Sequence, residues 1–317
     1  MRKQQNFTQP AITTTYAGEF AGKYIAAALL SAKTLDNQYI TIMPNVKFKS
    51  VIQRIAVDSI VNDASCNFTT SGTVALTERV LEPKELQVNL ELCKQEFVDS
   101  WQALQLGFSA FDEIPKDFND FLISYVGGKV AQATEESIWR GATSTNGQFG
   151  GIYNALSSSV VAGGVNAPIT ASISGSVTSA NVLTALDSLV NAIPETVYGK
   201  EDLMIYVPTN VVKAYQQALA GGAQGANGFN NQLNVGEKPL NFNGIEMAYC
   251  PGLASSAMVA AQKSNLFFGT GLLSDYNEVR VLDMANLDGS QNYRIIMRYT
   301  AGTQYGIGSD IAIHKNY

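Results

Sequence analysis

The chain contains few residues able to do chemistry. Its one histidine is His314. Any system in which a serine or cysteine is activated by histidine must use that residue as its base. A multi-histidine zinc site is excluded, and no His-Glu-x-x-His motif occurs. His314 sits between Ile313 and Lys315, near the last residue given, where a lone histidine is expected on the surface. The cysteines, Cys66, Cys93 and Cys250, are odd in number and far apart, and they form no Cys-x-x-Cys. Reduced thiols are therefore expected rather than a disulfide framework. Cys93 ends an alternating apolar run and reads as core filler, and a Cys66–Cys93 bridge is the one pairing left open. The densest acidic cluster is Asp112, Glu113, Asp117 and Asp120. A pair of carboxylates is the equipment of a glycoside hydrolase, but these stand where a helix starts and complement its positive end. The Walker pattern, Gly-x-Ser-x-Gly and Ser-x-x-Lys are all missing. Gly269-Thr270-Gly271 and Gly306-Ile307-Gly308 each begin a dinucleotide fingerprint that is not completed. No catalytic residue, cofactor or metal ligand is expected, and the chain does not read as an enzyme.

Composition leaves two readings open, a neutral-surfaced monomer and a subunit covered by neighbours. Charged residues are 15% of the 317, against roughly 25% in an average soluble chain, while the hydrophobic fraction is an ordinary 46%. A monomer uses charge to stay dispersed, whereas a subunit covered by neighbours has less need of it. With 21 Lys and Arg against 27 Asp and Glu the net charge is -6, a poor balance for neutralising phosphates. No charged residue occurs in 141–186, 214–236 or 247–262, stretches rich in Gly, Ser, Thr, Asn, Gln and Ala. They read as loops that hydrogen-bond to neighbouring subunits. Met1–Gln5 is basic but is followed by polar residues, and the first apolar run, Tyr24–Leu30, is late and short for a signal peptide. No segment approaches the roughly 18 apolar residues of a membrane span. Synthesis in a cytoplasm and use in solution are expected.

Several elements must position these residues. Residues 1–38 read as an extended arm with one short helix. Two strand blocks follow, Tyr39–Val57 and the alternating Leu86–Leu92, read as the limbs of a long hairpin with a polar tip over Asn62–Thr73. Pro115, Asp117 and Asp120 start a helix whose apolar positions, Phe118, Phe121, Leu122, Tyr125, Val126, Val130, Ile138 and Trp139, recur at helical spacing to Gly141. Gly127-Gly128 in its middle reads as a site of close packing. A helix over Ala180–Ile193 capped by Ser179, a buried strand Leu203–Val207 stopped by Pro208, and a helix from Thr209 to Gly221-Gly222 come next. Strands are expected at Ile245–Tyr249, Met258–Ala261, Leu266–Phe268, Glu278–Leu282, Tyr293–Thr300 and Gly306–His314. The mixed order makes the fold class α+β.

This order resembles that of the tailed-phage major capsid proteins of the Hong Kong 97 type. Glu78–Lys94 is similar to the returning limb of the hairpin in capsid proteins of phages of Bacteroidetes-type hosts. Glu136-Ser137-Ile138-Trp139-Arg140-Gly141 with Gly150-Gly151-Ile152 resembles the end of that family's spine helix and the glycine turn after it. Leu203–Pro208 looks like the middle of its axial domain, and Phe267–Thr270 with Arg298–Thr300 like the return into its peripheral domain. The resemblance implies an N-terminal arm over 1–38, an extended hairpin (the E-loop) over 39–95, a peripheral domain over 96–175 and 278–317 with a spine helix over 115–140, and an axial domain over 176–277. It implies a virion protein that assembles with itself into pentamers and hexamers of an icosahedral head. That head encloses packaged double-stranded DNA without reading its sequence. Scaffold, portal and decoration proteins are the further partners, and no membrane is involved. Intersubunit contacts are expected at Arg54, Glu78 and Arg79 of the hairpin. A second set is expected in an axis-proximal loop, at Gly221, Gly222, Gln224, Gly225, Asn227 and Gly228. Three alternatives stand beside this reading. One is a bacterial nanocompartment shell, which resembles the same fold but holds cargo enzymes; the second is a hydrolase using the Asp112 cluster. The third is another virion part, such as a tail or decoration protein, which the long central helix disfavours.

Overall fold

The computed structural model describes residues 32–44, 46, 48–58, 61, 63, 66, 73–93, 116–162, 167–173, 175–220, 240–270, 279–284 and 289–315. In chain order these form helix α1 (Lys33–Asp36), β1 (Thr41–Met43), β2 (Ser50–Asp58), β3 (Thr73–Leu81), β4 (Lys84–Cys93) and α2 (Lys116–Arg140). Then come α3 (Ile152–Ala162), β5 (Ile169–Thr170), α4 (Val182–Asn191), β6 (Leu203–Val207), α5 (Thr209–Ala220), β7 (Leu240–Phe242) and β8 (Ile245–Tyr249). The last are β9 (Met258–Gln262), β10 (Leu266–Thr270), β11 (Val279–Asp283), β12 (Asn292–Tyr305) and β13 (Ala312–His314). The chain divides into two compact units. Of the described residues the first unit holds 89–93, 116–126, 280–284 and 289–296, and the second holds the others.

The second unit is organised by a six-stranded sheet in the order β5-β13-β9-β6-β8-β7. Its central strand β6 is apolar at every position, the pattern of a strand covered on both faces. Leu203, Ile205 and Val207 pack into a cluster with Val182, Leu186 and Leu189 of α4 and Val211 and Tyr215 of α5. On the other face Tyr206 meets Trp139 of α2, ring centroids 5.2 Å apart. β7 and β8 are joined by Asn243-Gly244, both at positive φ (49° and 79°), the two-residue turn that matches strand twist.

A second sheet of this unit pairs β1 parallel to β10, and β10 antiparallel to β12 from Leu266↔Tyr305 to Thr270↔Ala301. In the first unit, Glu91 of β4 accepts from Asn292 Nδ2 (2.6 Å) and Arg294 Nε (3.0 Å) of β12, and Tyr293 and Ile295 are buried.

Several expectations are met and several corrected. The long helix runs over Lys116–Arg140, with Val126, Val130, Ile138 and Trp139 buried and Tyr125 half-buried. The side chains of Phe118, Phe121 and Leu122 lie outside the described residues. Close packing does not account for Gly127, because a Cβ there would meet nothing within 4 Å. Leu86–Leu92 is a strand but not a hairpin limb. The hairpin pairs Ser50–Asp58 with Thr73–Leu81, and β4 begins afresh beyond Pro83, a residue with no N–H to continue a ladder. The charge-free stretch 247–262 is interior rather than loop, since Met247, Ala248, Cys250 and Met258–Ala261 are buried. Helix α4 starts later than expected, with Asn181 rather than Ser179 at its N-cap. Asn181 Oδ1 accepts from Thr178 N at 2.7 Å, which holds the preceding turn. A 3-10 turn at Gly308–Asp310 breaks the closing segment, so only Ala312–His314 forms strand. His314 is buried, 1% exposed, because β13 is covered by β5 and β9 on its two edges.

Candidate functional site: the hairpin and its base

β2 and β3 form a two-stranded sheet that pairs with no other strand among the described residues. Their register sets Val51 opposite Val80, Gln53 opposite Glu78, Ile55 opposite Leu76 and Val57 opposite Val74. Directly opposed residues share a face, so one side of the ribbon is an apolar row interrupted by a single polar pair. Gln53 Nε2 donates to Glu78 Oε1 at 3.2 Å and closes that pair on itself. The described apolar members of the row are open to solvent: Leu76 is 56% exposed, Val51 49% and Val80 44%. Phe48, just before the ribbon, is 84% exposed. A lone ribbon of this length is barely stable in water, and a run of exposed apolar side chains marks a surface that takes a partner.

The base, by contrast, is firmly seated. Gly269 of β10 faces Gly302 of β12. A Cβ on Gly269 would lie 2.3 Å from Leu81 Cδ2, and one on Gly302 would lie 2.9 Å from Pro83 Cα. The last residues of the hairpin therefore lie directly on the sheet, and Leu81 is fully buried. Arg79 stacks its guanidinium 3.9 Å from the centre of the Tyr305 ring, whose hydroxyl is hydrogen-bonded to Ser159 of α3. Gln304 Nε2 donates to Val80 O at 2.9 Å. Beyond the hairpin, the Lys84 ammonium donates to three carbonyls, Gln148 (2.9 Å), Thr143 and Thr145 (both 3.3 Å), and ties down the charge-free turn after α2. Lys49 and Glu82, 3.2 Å apart, are exposed and contribute little.

The expected contact residues fall out as follows. Glu78 is exposed on the apolar face, and Arg79 is engaged with Tyr305 of its own chain. Arg54 lies opposite Thr77, and its side chain is outside the described residues. Gly221, Gly222, Gln224, Gly225, Asn227 and Gly228 lie outside them too, as do Asp112, Glu113 and the side chains of Asp117 and Asp120. The three thiols are free: Cys66 exposed, Cys93 half-buried, Cys250 buried. His314 donates from Nδ1 to Ser256 O at 3.0 Å, and burial lowers its pKa below the usual imidazole value, the Ser256 bond opposing. Among the described residues no group of three His, Cys, Asp or Glu side chains is placed to hold a metal ion. An open cleft of about 440 Å³ beside the β7–β8 turn presents Lys200, Glu201 and Glu246.

Two features escaped the sequence. Helix α3 has the spacing Ile152–Leu156 on its buried side, but Ser157-Ser158-Ser159 masked it as loop. Glu135 is buried, and its signal was its place three and four residues before Ile138 and Trp139.

No protein-family model matches the chain, and no curated protein does. Solved structures do. A chain from the capsid of the native GTA particle is 13% identical, with TM-score 0.62 and 91% of each chain covered. A chain from the capsid of Myoviridae phage XM1 is 10% identical, with TM-score 0.53, 91% of this chain and 93% of that one covered. One from Gordonia phage Cozz is 11% identical, with TM-score 0.56 over 99% and 98% of the two lengths. At these identities the likeness is one of fold, and the chain has the fold of those phage and GTA chains.

Proposed function

We propose that the chain is a structural subunit of a phage head, a major capsid protein of the Hong Kong 97 type. The observation that carries this reading is the apolar face of the β2–β3 ribbon, open to solvent above a rigid base. A ribbon so built is stable when its open face lies on another copy. The shared fold over nine-tenths of the length supports the choice of partner. In this reading the ribbon is the E-loop and α2 the spine helix. The arm covers 1–38, the hairpin region 39–95, the peripheral domain 96–175 with 278–317, and the axial domain 176–277.

Copies join as pentamers and hexamers into an icosahedral shell around double-stranded DNA, with scaffold, portal and decoration proteins as further partners. A chain of charge -6 repels packaged DNA rather than gripping it. The chain is made in the host cytoplasm and resides in the virion, and the Bacteroidetes-type host rests on the Glu78–Lys94 stretch alone. Residues 221–228 form the axis-proximal loop, where a neutral composition avoids repulsion between copies around a symmetry axis.

The test is assembly of Leu76→Asp and Val80→Asp chains. Folded subunits that no longer form shells support the reading, and shells formed as readily as by the unaltered chain refute it.

A further inference from the structure

Helix α2 buries one carboxylate: Glu135 is 2% exposed. Among the described residues no lysine or arginine forms an ion pair with it. Its partners are hydrogen-bond donors, and two belong to one residue. Thr34 of α1 donates from its N–H at 3.0 Å to Oε2, and its hydroxyl is 2.6 Å from Oε1. The backbone N–H of Gly252, in the turn after β8, is the third. Trp139 Nε1 donates to the same Thr34 hydroxyl at 3.0 Å, and the Cys250 thiol is also bonded to it. At the other end of this short segment Tyr206 donates from its hydroxyl to Tyr39 O at 2.7 Å. Residues 32–39 are thus held at both ends.

We propose that Glu135 is the pin of a proton-operated latch on residues 32–39, fastened when its carboxyl is neutral and loosened when it is ionised. In the neutral form Oε2 accepts from Thr34 N–H, and Oε1–H donates to Thr34 Oγ1 across the same 2.6 Å. The Thr34 hydroxyl proton then turns to Cys250 Sγ, while Trp139 still donates to Thr34 Oγ1. Each of these groups has a partner and none carries charge. Loss of the proton reverses the Thr34 hydroxyl toward Glu135 and leaves a buried anion with no cation against it, an arrangement that costs free energy.

The surroundings make Glu135 the group that switches. From α1, Lys33 lies over the Tyr249 ring and Asp36 adds repulsion. From α2 itself, Glu136 and Arg140 pair with each other at 2.7 Å, and Arg140 Nε donates to Gly252 O. Tyr206 and Cys250 are pushed well above their ordinary values, burial being the main cause for both, and Tyr39 is raised for the same reason. All three stay neutral where a carboxyl titrates. Burial likewise raises the pKa of Glu135, with Asp36 adding to it and the three hydrogen bonds only partly opposing. The fastened form thus binds the proton more tightly than the free one. Its contribution is complete below the ordinary glutamate value and is lost as the pH rises through the raised one.

The test uses the full chain with Trp101→Phe, so that Trp139 is the sole tryptophan. Its emission is followed from about pH 4 to about pH 9, on either side of the ordinary glutamate value. The expected result is a one-proton red shift on raising the pH, with its midpoint above the ordinary glutamate value. Glu135→Gln, isosteric with the neutral acid, abolishes the transition and keeps the acid spectrum throughout. Thr34→Val removes the hydroxyl's bond from both forms, but its bond to the ionised carboxylate is charge-assisted and the stronger of the two, so the midpoint moves up. A flat profile in the parent, an unchanged transition in Glu135→Gln, or an unmoved midpoint in Thr34→Val overturns the latch. The measurement is made on dispersed chains, so its outcome is independent of shell formation.

Discussion

Gly269 and Gly302 show how single residues set the stance of the hairpin. Each lacks a side chain where Leu81 or Pro83 must sit, but the obstacles differ. Leu81 Cδ2 is the end of a flexible side chain, whereas Pro83 Cα is backbone. Gly302→Ala is therefore expected to cost more than Gly269→Ala, about 2–3 against about 1 kcal/mol, measured by urea unfolding. Equal losses would mean that the base adapts more freely than its packing implies. His314 adds a pH dependence. Its pKa is lowered by burial, so its contribution is present above the ordinary imidazole value and is lost as the pH falls through the lowered one. Glu135 acts in the opposite sense, losing its contribution as the pH rises. His314→Gln is expected to flatten the acid limb of the stability profile and leave the alkaline limb unchanged. At this scale the sequence was least legible. The surface expectation for His314 failed because burial depends on β5 and β9, which lie far from it in the chain.

Elements were more legible than their partners. Helical spacing located α2 within a residue, and an unbroken apolar run located β6. Periodicity says which face of a segment is covered but not by what. Leu86–Leu92 shows a strand's alternation but not its partner, and the true limb Thr73–Leu81 is hard to see because Thr77, Glu78 and Arg79 break its alternation. The polar side of β3 serves the base, through Arg79 on Tyr305, rather than solvent alone. Two predictions belong here. Ile138→Asp, at a fully buried position of α2, is expected to abolish soluble folded protein, since an unpaired charge there has no partner; soluble protein with native circular dichroism would contradict the packing described. Leu76→Asp, on the open row, is expected to change the stability of the isolated subunit by no more than about 0.5 kcal/mol. A much larger loss in chemical denaturation would mean that the row is covered within its own chain.

For the molecule as a whole, low charge was the most telling sequence signal, although it had mixed causes. Part of the neutral sequence is interior, as in 247–262. Part is surface, as at the end of α3, where Val161 is 81% exposed. Composition cannot separate these, because both environments disfavour charge. The fold was legible through the order of its elements, and 91% of the chain aligns with a GTA capsid chain at 13% identity, so element order is retained where side chains are not. Assembly through the ribbon is the central claim, and electron microscopy of the purified chain, alone and with any scaffold and portal of the proposed head supplied, tests it most directly. The expected result is closed shells of pentamers and hexamers from the unaltered chain and dispersed, folded subunits from Leu76→Asp with Val80→Asp. An unaltered chain that stays monomeric under every such condition would contradict it.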